Sequence, residues 1–158
     1  MHLSMHNWMR AEPLKVTVAR LAKYGYKSIE ISGEPEQYGL NGSKDTKALL
    51  DEYGLKCWGS VTLMLAERNL VASNPAARAM SVKYVKDCIT MVKELDGYEM
   101  TIVPATVGKI VPEATPDEEW KWAVEGMKEI YEHSEKAGVR LAIEPLNRFE
   151  TYFINRAE

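Results

Sequence analysis

The sequence predicts an α/β fold, a TIM (β/α)8 barrel of which residues 1–158 supply about the first five βα units. Three observations carry this. Four predicted helix exits share one local form, Tyr24-Gly25-Tyr26, Tyr53-Gly54-Leu55, Asp96-Gly97-Tyr98 and Ala137-Gly138-Val139. In each, glycine stands where a helix ends and a strand follows directly, and repeated helix–glycine–strand units mean a parallel sheet. The stretch after the first predicted strand, His6-Asn-Trp-Met-Arg10, contains no glycine, so the phosphate turn of a doubly wound nucleotide fold is absent. A complete barrel takes about 250 residues, so the 158 residues correspond to one partial domain, strands one to five, with the C-terminal strands missing.

The elements follow in order. Leu3 to Trp8 reads as the first strand, with His6 near its carboxyl end. Pro13 opens a helix with Leu14, Val18, Leu21 and Ala22 at helical spacing. Lys27 to Ser32 alternates as a strand. Ser43 is expected to cap the second helix, which carries Ala48, Leu49 and Tyr53, and Lys56 to Leu63 forms strand three. Asn74-Pro75 is a cap followed by a proline at the first helical position, and Val82, Val85, Ile89 and Val92 lie on one face behind it. Glu99 to Pro104 is strand four. Thr115-Pro-Asp-Glu118 is a capping box, and the helix it opens turns Ala123, Met127, Ile130 and Ser134 inward. Arg140 to Glu144 is strand five. Asn155-Arg-Ala-Glu158 reads as one more capping box.

Composition narrows the class. A hydrophobic content of 46% and a net charge of −3 describe a chain that buries a core and lacks the basic stripe of a nucleic-acid binder. No apolar run approaches the ~20 residues of a membrane span, and the N-terminus has no charged region followed by an apolar one. Cys57 and Cys88 make no disulfide framework and read as small buried hydrophobes. A cytoplasmic location is expected, with neither nucleic acid nor membrane as partner.

The stretch from Leu141 to Glu158 concentrates the chemistry. Leu141, Ala142 and Ile143 are apolar, and Glu144 then closes the strand. A carboxylate there must be paired, metal-bound or protonated, because burying it alone costs several kcal/mol. Pro145 ends the strand, and Asn147, Arg148 and Glu150 crowd the rim beyond it. At the carboxyl end of a parallel strand such a cluster reads as a site, and a salt-bridged loop is the alternative.

The run Leu141-Ala-Ile-Glu-Pro-Leu-Asn-Arg-Phe-Glu150 resembles the fifth-strand motif of the ketose 3-epimerases (tagatose/psicose 3-epimerases), within the xylose-isomerase-like TIM barrels. Ile29-Glu-Ile-Ser32 and Leu70-Val-Ala-Ser-Asn-Pro75, with Tyr84-Val-Lys86 in the helix behind, are similar to segments of that family. The resemblance implies a metal-dependent sugar isomerase or epimerase that moves a proton beside a ketose carbonyl through an enediolate. It makes Glu144 both a metal ligand and a catalytic acid/base, and Glu150 a contact to the sugar hydroxyls. It implies Mn²⁺ or Mg²⁺, with Co²⁺ a further candidate, because oxygen ligands suit such ions; the remaining ligands belong to strands six to eight, outside this chain. His6 falls where the family places an aromatic substrate contact, and Ser60 where a small substrate-facing residue is expected. Glu30 reads as a member of the polar layer inside the barrel.

The same fold admits an inosose dehydratase or a hydroxypyruvate isomerase, and a non-catalytic half-barrel binding module stands as the rival of a different class. Endonuclease IV shares the fold, but its histidine-rich zinc cluster fits poorly with three histidines in this chain. Five strands without the rest of the barrel leave two open edges, which recruit other chains. These residues are therefore expected to belong to a longer polypeptide and to form a homo-oligomer. Taken alone they are expected to be inactive.

Overall fold

A computed structural model describes residues 3–40 and 42–157. Five strands lie parallel in one sheet in the order β1-β2-β3-β4-β5, so that sheet order repeats chain order. They are β1 (Ser4–His6), β2 (Ser28–Ser32), β3 (Lys56–Val61), β4 (Glu99–Ile102) and β5 (Arg140–Ile143). Between them run α1 (Leu14–Lys23), α2 (Pro35–Tyr38), α3 (Ser43–Glu52), α4 (Pro75–Glu94) and α5 (Pro116–Ala137). This is the strand–helix alternation of a (β/α) barrel, as the sequence predicts.

Local chemistry sets most of the boundaries. The Asn74 side chain accepts the Ala76 amide at 2.9 Å, with Pro75 at the first position of α4. Thr115 and Glu118 form the expected box: the Thr115 Oγ1 accepts the Glu118 amide at 3.4 Å and the Glu118 carboxylate accepts the Thr115 amide at 3.1 Å. Gly25, Gly54 and Gly138 take positive φ of 80°, 67° and 72° after their helices. The fourth exit differs: Asp96 takes the left-handed conformation (φ 54°), and Gly97 is needed for closeness, since a Cβ there would meet Val92 Cγ1 at 2.8 Å.

Two starts depart from expectation. The helix α2 was not anticipated; it is a single turn begun by Pro35. Ser43 is the first residue of α3, not its cap, and the cap position is held by Gly42 with no side-chain bond. The capping box read at Asn155–Glu158 includes Glu158, which lies outside the described residues. The Asn155 amide donates to the Leu146 and Thr151 carbonyls, both at 2.8 Å, and so closes the loop behind it.

The helices cover one face of the sheet. Val18, Leu21, Ile29, Ile31, Leu50, Leu55 and Met91 form one buried cluster, and Val85, Ile89, Met100, Ile102 and Ile130 anchor a second. Each such side chain contributes about 1.5–3 kcal/mol when taken from water, which makes these clusters the main support of the sheet. Cys57 and Cys88 sit buried in them as free thiols, with burial pushing each up to about 12. They are packing residues, as the sequence suggests.

Tyr84 on α4 ties this layer to the strand ends. Its hydroxyl donates to the Gly33 carbonyl at 2.7 Å and accepts the Leu63 amide at 2.8 Å, while the Arg68 guanidinium lies 3.9 Å over its ring. Burial raises the phenol's pKa. At the far side, an apolar groove of about 460 Å³ runs between α5 and the free edge of β5, and Ile143 there is 48% exposed. None of the described helices is long and apolar enough to cross a membrane.

Candidate active site

The strand register decides which side chains share the concave face. His6 pairs with Glu30, Glu30 with Gly59, Gly59 with Glu99, and Glu99 with Arg140, so these residues form one row across the sheet. The neighbouring row of Ile31, Ser60, Met100 and Leu141 faces the helices, because Ile31 and Met100 belong to the buried clusters and Leu141 packs against one of them. Alternation along β5 returns Ala142 and then Glu144 to the concave side.

Glu144 stands at the carboxyl end of β5, half-buried, where the sequence predicts it. Its amide donates to the Ile102 carbonyl at 2.9 Å, so the residue extends the β4–β5 ladder by one step. Its charge reaches Glu30: burial raises the pKa of Glu30 first, then the Glu144 carboxylate, then Glu99. Like charges on one face repel, and burial with its two neighbours makes Glu30 hold its proton to higher pH.

Glu150 lies farther out, exposed, on the loop after β5. Asn147 Nδ2 donates to its carboxylate, and its own carbonyl accepts the Gly108 amide at 2.7 Å. His6 is half-buried, with its ring stacked on Trp8 at 4.3 Å between centroids. Its Nδ1 is buried without a partner, and burial lowers its pKa. A neutral imidazole with a free ring nitrogen can accept or donate one hydrogen bond to a ligand on this face.

Ser60 is placed elsewhere. Its side chain is 1% exposed, turned toward the helices, and its Oγ is buried without a partner. The cause is a β-bulge: Ile29 pairs with Cys57 and Glu30 with Gly59, leaving Trp58 as an extra residue. Simple alternation from Cys57 would turn Ser60 inward, and one inserted residue reverses every later side chain. The bulge instead brings Gly59 onto the concave row, so close to β4 that a Cβ would stand 2.1 Å from the Glu99 carbonyl oxygen.

The structure thus brings Glu144, Glu30, Glu99 and His6 to one face, with Glu150 on the rim above and Ser60 on the opposite side. Glu99 was not singled out from sequence; its signal was the alternation Glu-Met-Thr-Ile, which puts Glu99 and Thr101 on one face. Asn7, 8% exposed, was also missed; its Oδ1 accepts the Ser32 amide at 2.7 Å and joins the ends of β1 and β2. Among the described residues no group of three or more His, Cys, Asp or Glu is gathered closely enough to hold a metal ion. The described donors therefore do not by themselves fit the divalent ion that the sequence resemblance implies; Glu144 is a strand-end oxygen donor available to one.

A parallel (β/α) run with a carboxylate at the carboxyl end of its fifth strand has the layout of a barrel enzyme's catalytic face. The chain belongs to the xylose isomerase-like TIM barrel family, which matches residues 18–158. Among curated proteins it is 28% identical to a D-psicose 3-epimerase of Ruminiclostridium cellulolyticum, over 91% of this chain and 50% of that protein. It is 26% identical to a fructoselysine 3-epimerase of Shigella flexneri (92% and 54%) and 27% identical to an L-ribulose 3-epimerase of Methylomonas sp. (94% and 51%). The chain spans about half the length of the curated relatives it matches. Among solved structures, it superposes on a D-psicose 3-epimerase from Clostridium cellulolyticum H10 with a TM-score of 0.84 at 23% identity, covering 98% of this chain and 56% of that one. A D-allulose 3-epimerase from Methylomonas sp. gives 0.84 at 24% identity, covering 99% and 55%. These likenesses establish the fold.

Proposed function

We propose that these residues form the first five strands of a metal-dependent ketose epimerase, with Glu144 as an acid/base and as one oxygen ligand of the ion. The observation that carries the reading is the place of Glu144, at the end of the fifth strand and on the same face as Glu30, Glu99 and His6. The family membership and the 3-epimerase relatives support it.

Epimerising a ketose at C3 requires a base to take the proton beside the carbonyl, and an acid to return one to the other face of the enediolate. A strand-end carboxylate can take that proton when the substrate lies on the concave face. A bound divalent ion would supply charge stabilisation to the sugar oxygens. Glu30, whose pKa is raised, is suited to donate a hydrogen bond while protonated. Glu150 and His6 are assigned to the sugar, one through its carboxylate at the rim and the other through its free ring nitrogen.

The test is exchange at carbon. A polypeptide that contains these residues and turns over D-psicose is incubated in D₂O with Mn²⁺, and deuterium at C3 is followed by NMR. The Glu144→Gln substitution should slow exchange by about 10² or more, since it removes a base and an anionic ligand together. Exchange at the unsubstituted rate would overturn the assignment.

A further inference from the structure

Among the described residues one charged side chain is buried outright: Glu119, in the first turn of α5, is 1% exposed. Carboxylates that merely complement a helix dipole have no reason to leave water, and its neighbours Asp117 and Glu118 stay exposed. Burying Glu119 costs several kcal/mol unless its oxygens are satisfied. One of them is met by the loop that follows β4, where Oε1 accepts the Glu113 amide at 2.8 Å and the Ala114 amide at 3.3 Å.

Tyr152, in the segment after β5, lies within electrostatic reach of Glu119. The Tyr152 hydroxyl there is buried and falls outside hydrogen-bond geometry. Burial, and after it the nearby Glu119 carboxylate, raises its pKa. The two loops meet at further points: the Gly108 amide donates to the Glu150 carbonyl at 2.7 Å, and Lys109 pairs with Thr151 in a parallel bridge. The Glu113 carboxylate, paired with Lys109, also accepts the Ser73 amide at 2.6 Å and the Ser73 hydroxyl at 2.5 Å. The loops after β3, β4 and β5 are thereby laced together, and Glu119 lies beneath the lacing.

Glu144 needs none of this, because the sheet holds its backbone. Glu150 does, because its carbonyl and its neighbour Thr151 are held by the loop after β4. We propose that Glu119 is a positioning residue: its buried carboxylate holds the loop after β4 against the loop after β5 and so fixes Glu150 at the rim. The assignment of Glu150 to the sugar rests on the function proposed above; the brace itself does not.

Amide hydrogen exchange on a polypeptide that contains these residues tests the brace. Glu119→Leu, which fills similar space without an acceptor, should speed exchange about tenfold in residues 106–114 and 147–153 while leaving β4 and β5 unchanged. Glu119→Gln keeps an acceptor for the two amides and should restore most of the protection. Unchanged exchange in the leucine variant, or acceleration spread equally through the sheet, overturns the proposal. Should the leucine variant not fold, Glu119→Ala takes its place, and unchanged exchange in that variant overturns the proposal. Turnover is read separately on a polypeptide that contains these residues, with D-psicose as the probe. Glu119→Leu should raise KM about tenfold with kcat changed by about threefold or less, and a fall in kcat with KM unchanged overturns the link to Glu150. Absence of turnover in the unsubstituted polypeptide would overturn the epimerase reading alone, with the exchange result still deciding the brace.

Discussion

The Glu144 amide donates to the Ile102 carbonyl at 2.9 Å, which makes the candidate acid/base the last rung of the β4–β5 ladder. Its backbone is thus placed by the sheet. Glu150, six residues on, is placed by loop contacts to Asn147 and Gly108.

That difference separates the expected effects of substitution. In a polypeptide active on D-psicose, Glu150→Ala should lower kcat/KM by about tenfold or more while leaving Mn²⁺ affinity within about twofold. Titration of the variant by Mn²⁺ electron paramagnetic resonance, beside steady-state kinetics, checks it. A large loss of Mn²⁺ binding would move Glu150 from the sugar to the metal.

Glu30 should make stability depend on pH. Its pKa is raised in the folded state, by burial, then Glu144, then Glu99, so the folded protein holds that proton more tightly than the unfolded chain does. The contribution is fully present below the unfolded value of about 4.3 and is lost as pH rises through the higher folded value. Glu30→Gln, which mimics the protonated form, should therefore raise Tm more at pH 7.5 than at pH 4. Thermal unfolding at both values measures the difference, and an equal shift would show that Glu30 is not strained by ionisation.

Gly59 should tolerate no side chain. A Cβ there would stand 2.1 Å from the Glu99 carbonyl oxygen and 2.9 Å from the Glu99 carbonyl carbon. Both are backbone atoms and cannot swing aside. Gly59→Ala should cost about 1–3 kcal/mol or more, read as a lower urea midpoint. A midpoint equal to that of the unsubstituted protein would mean that β3 and β4 can part without loss.

Tyr84 offers a cleaner single-atom test. Tyr84→Phe removes the hydroxyl that serves the Gly33 carbonyl and the Leu63 amide. Leaving those groups unpaired should cost about 1–3 kcal/mol, with little change in the denaturant slope because the surface buried is nearly the same. Urea denaturation monitored by circular dichroism gives both numbers.

Much of the fold was legible because its signals are local. Asn74-Pro75, the Thr115–Glu118 box and the glycines at 25, 54 and 138 each act within a few residues of chain, and each stands where expected. Glu144 was legible for a similar reason, since a lone carboxylate ending an apolar strand demands an explanation wherever it occurs. Ser60 was not, because its direction is set by a bulge that exists only in the pairing of β2 with β3. Nothing in Lys56-Cys-Trp-Gly-Ser60 announces that Trp58 will be the extra residue. Glu119 escaped for the same kind of reason: its burial depends on loops from β4 and β5 closing over it, and its helix position alone reads as an ordinary first-turn acid.

Sheet order repeating chain order also bears on how the protein is made. At synthesis rates of about 5–20 residues per second, each new strand leaves the ribosome with its one earlier partner already in place. In the doubly wound order 3-2-1-4-5-6, by contrast, the fourth strand must return to the first. The growing edge is always the newest strand, so the nascent chain carries a travelling template for wrong pairing that moves from β2 to β5 as elongation proceeds. A holdase that followed the ribosome would need to shield that edge, and it would find it near the exit at every stage.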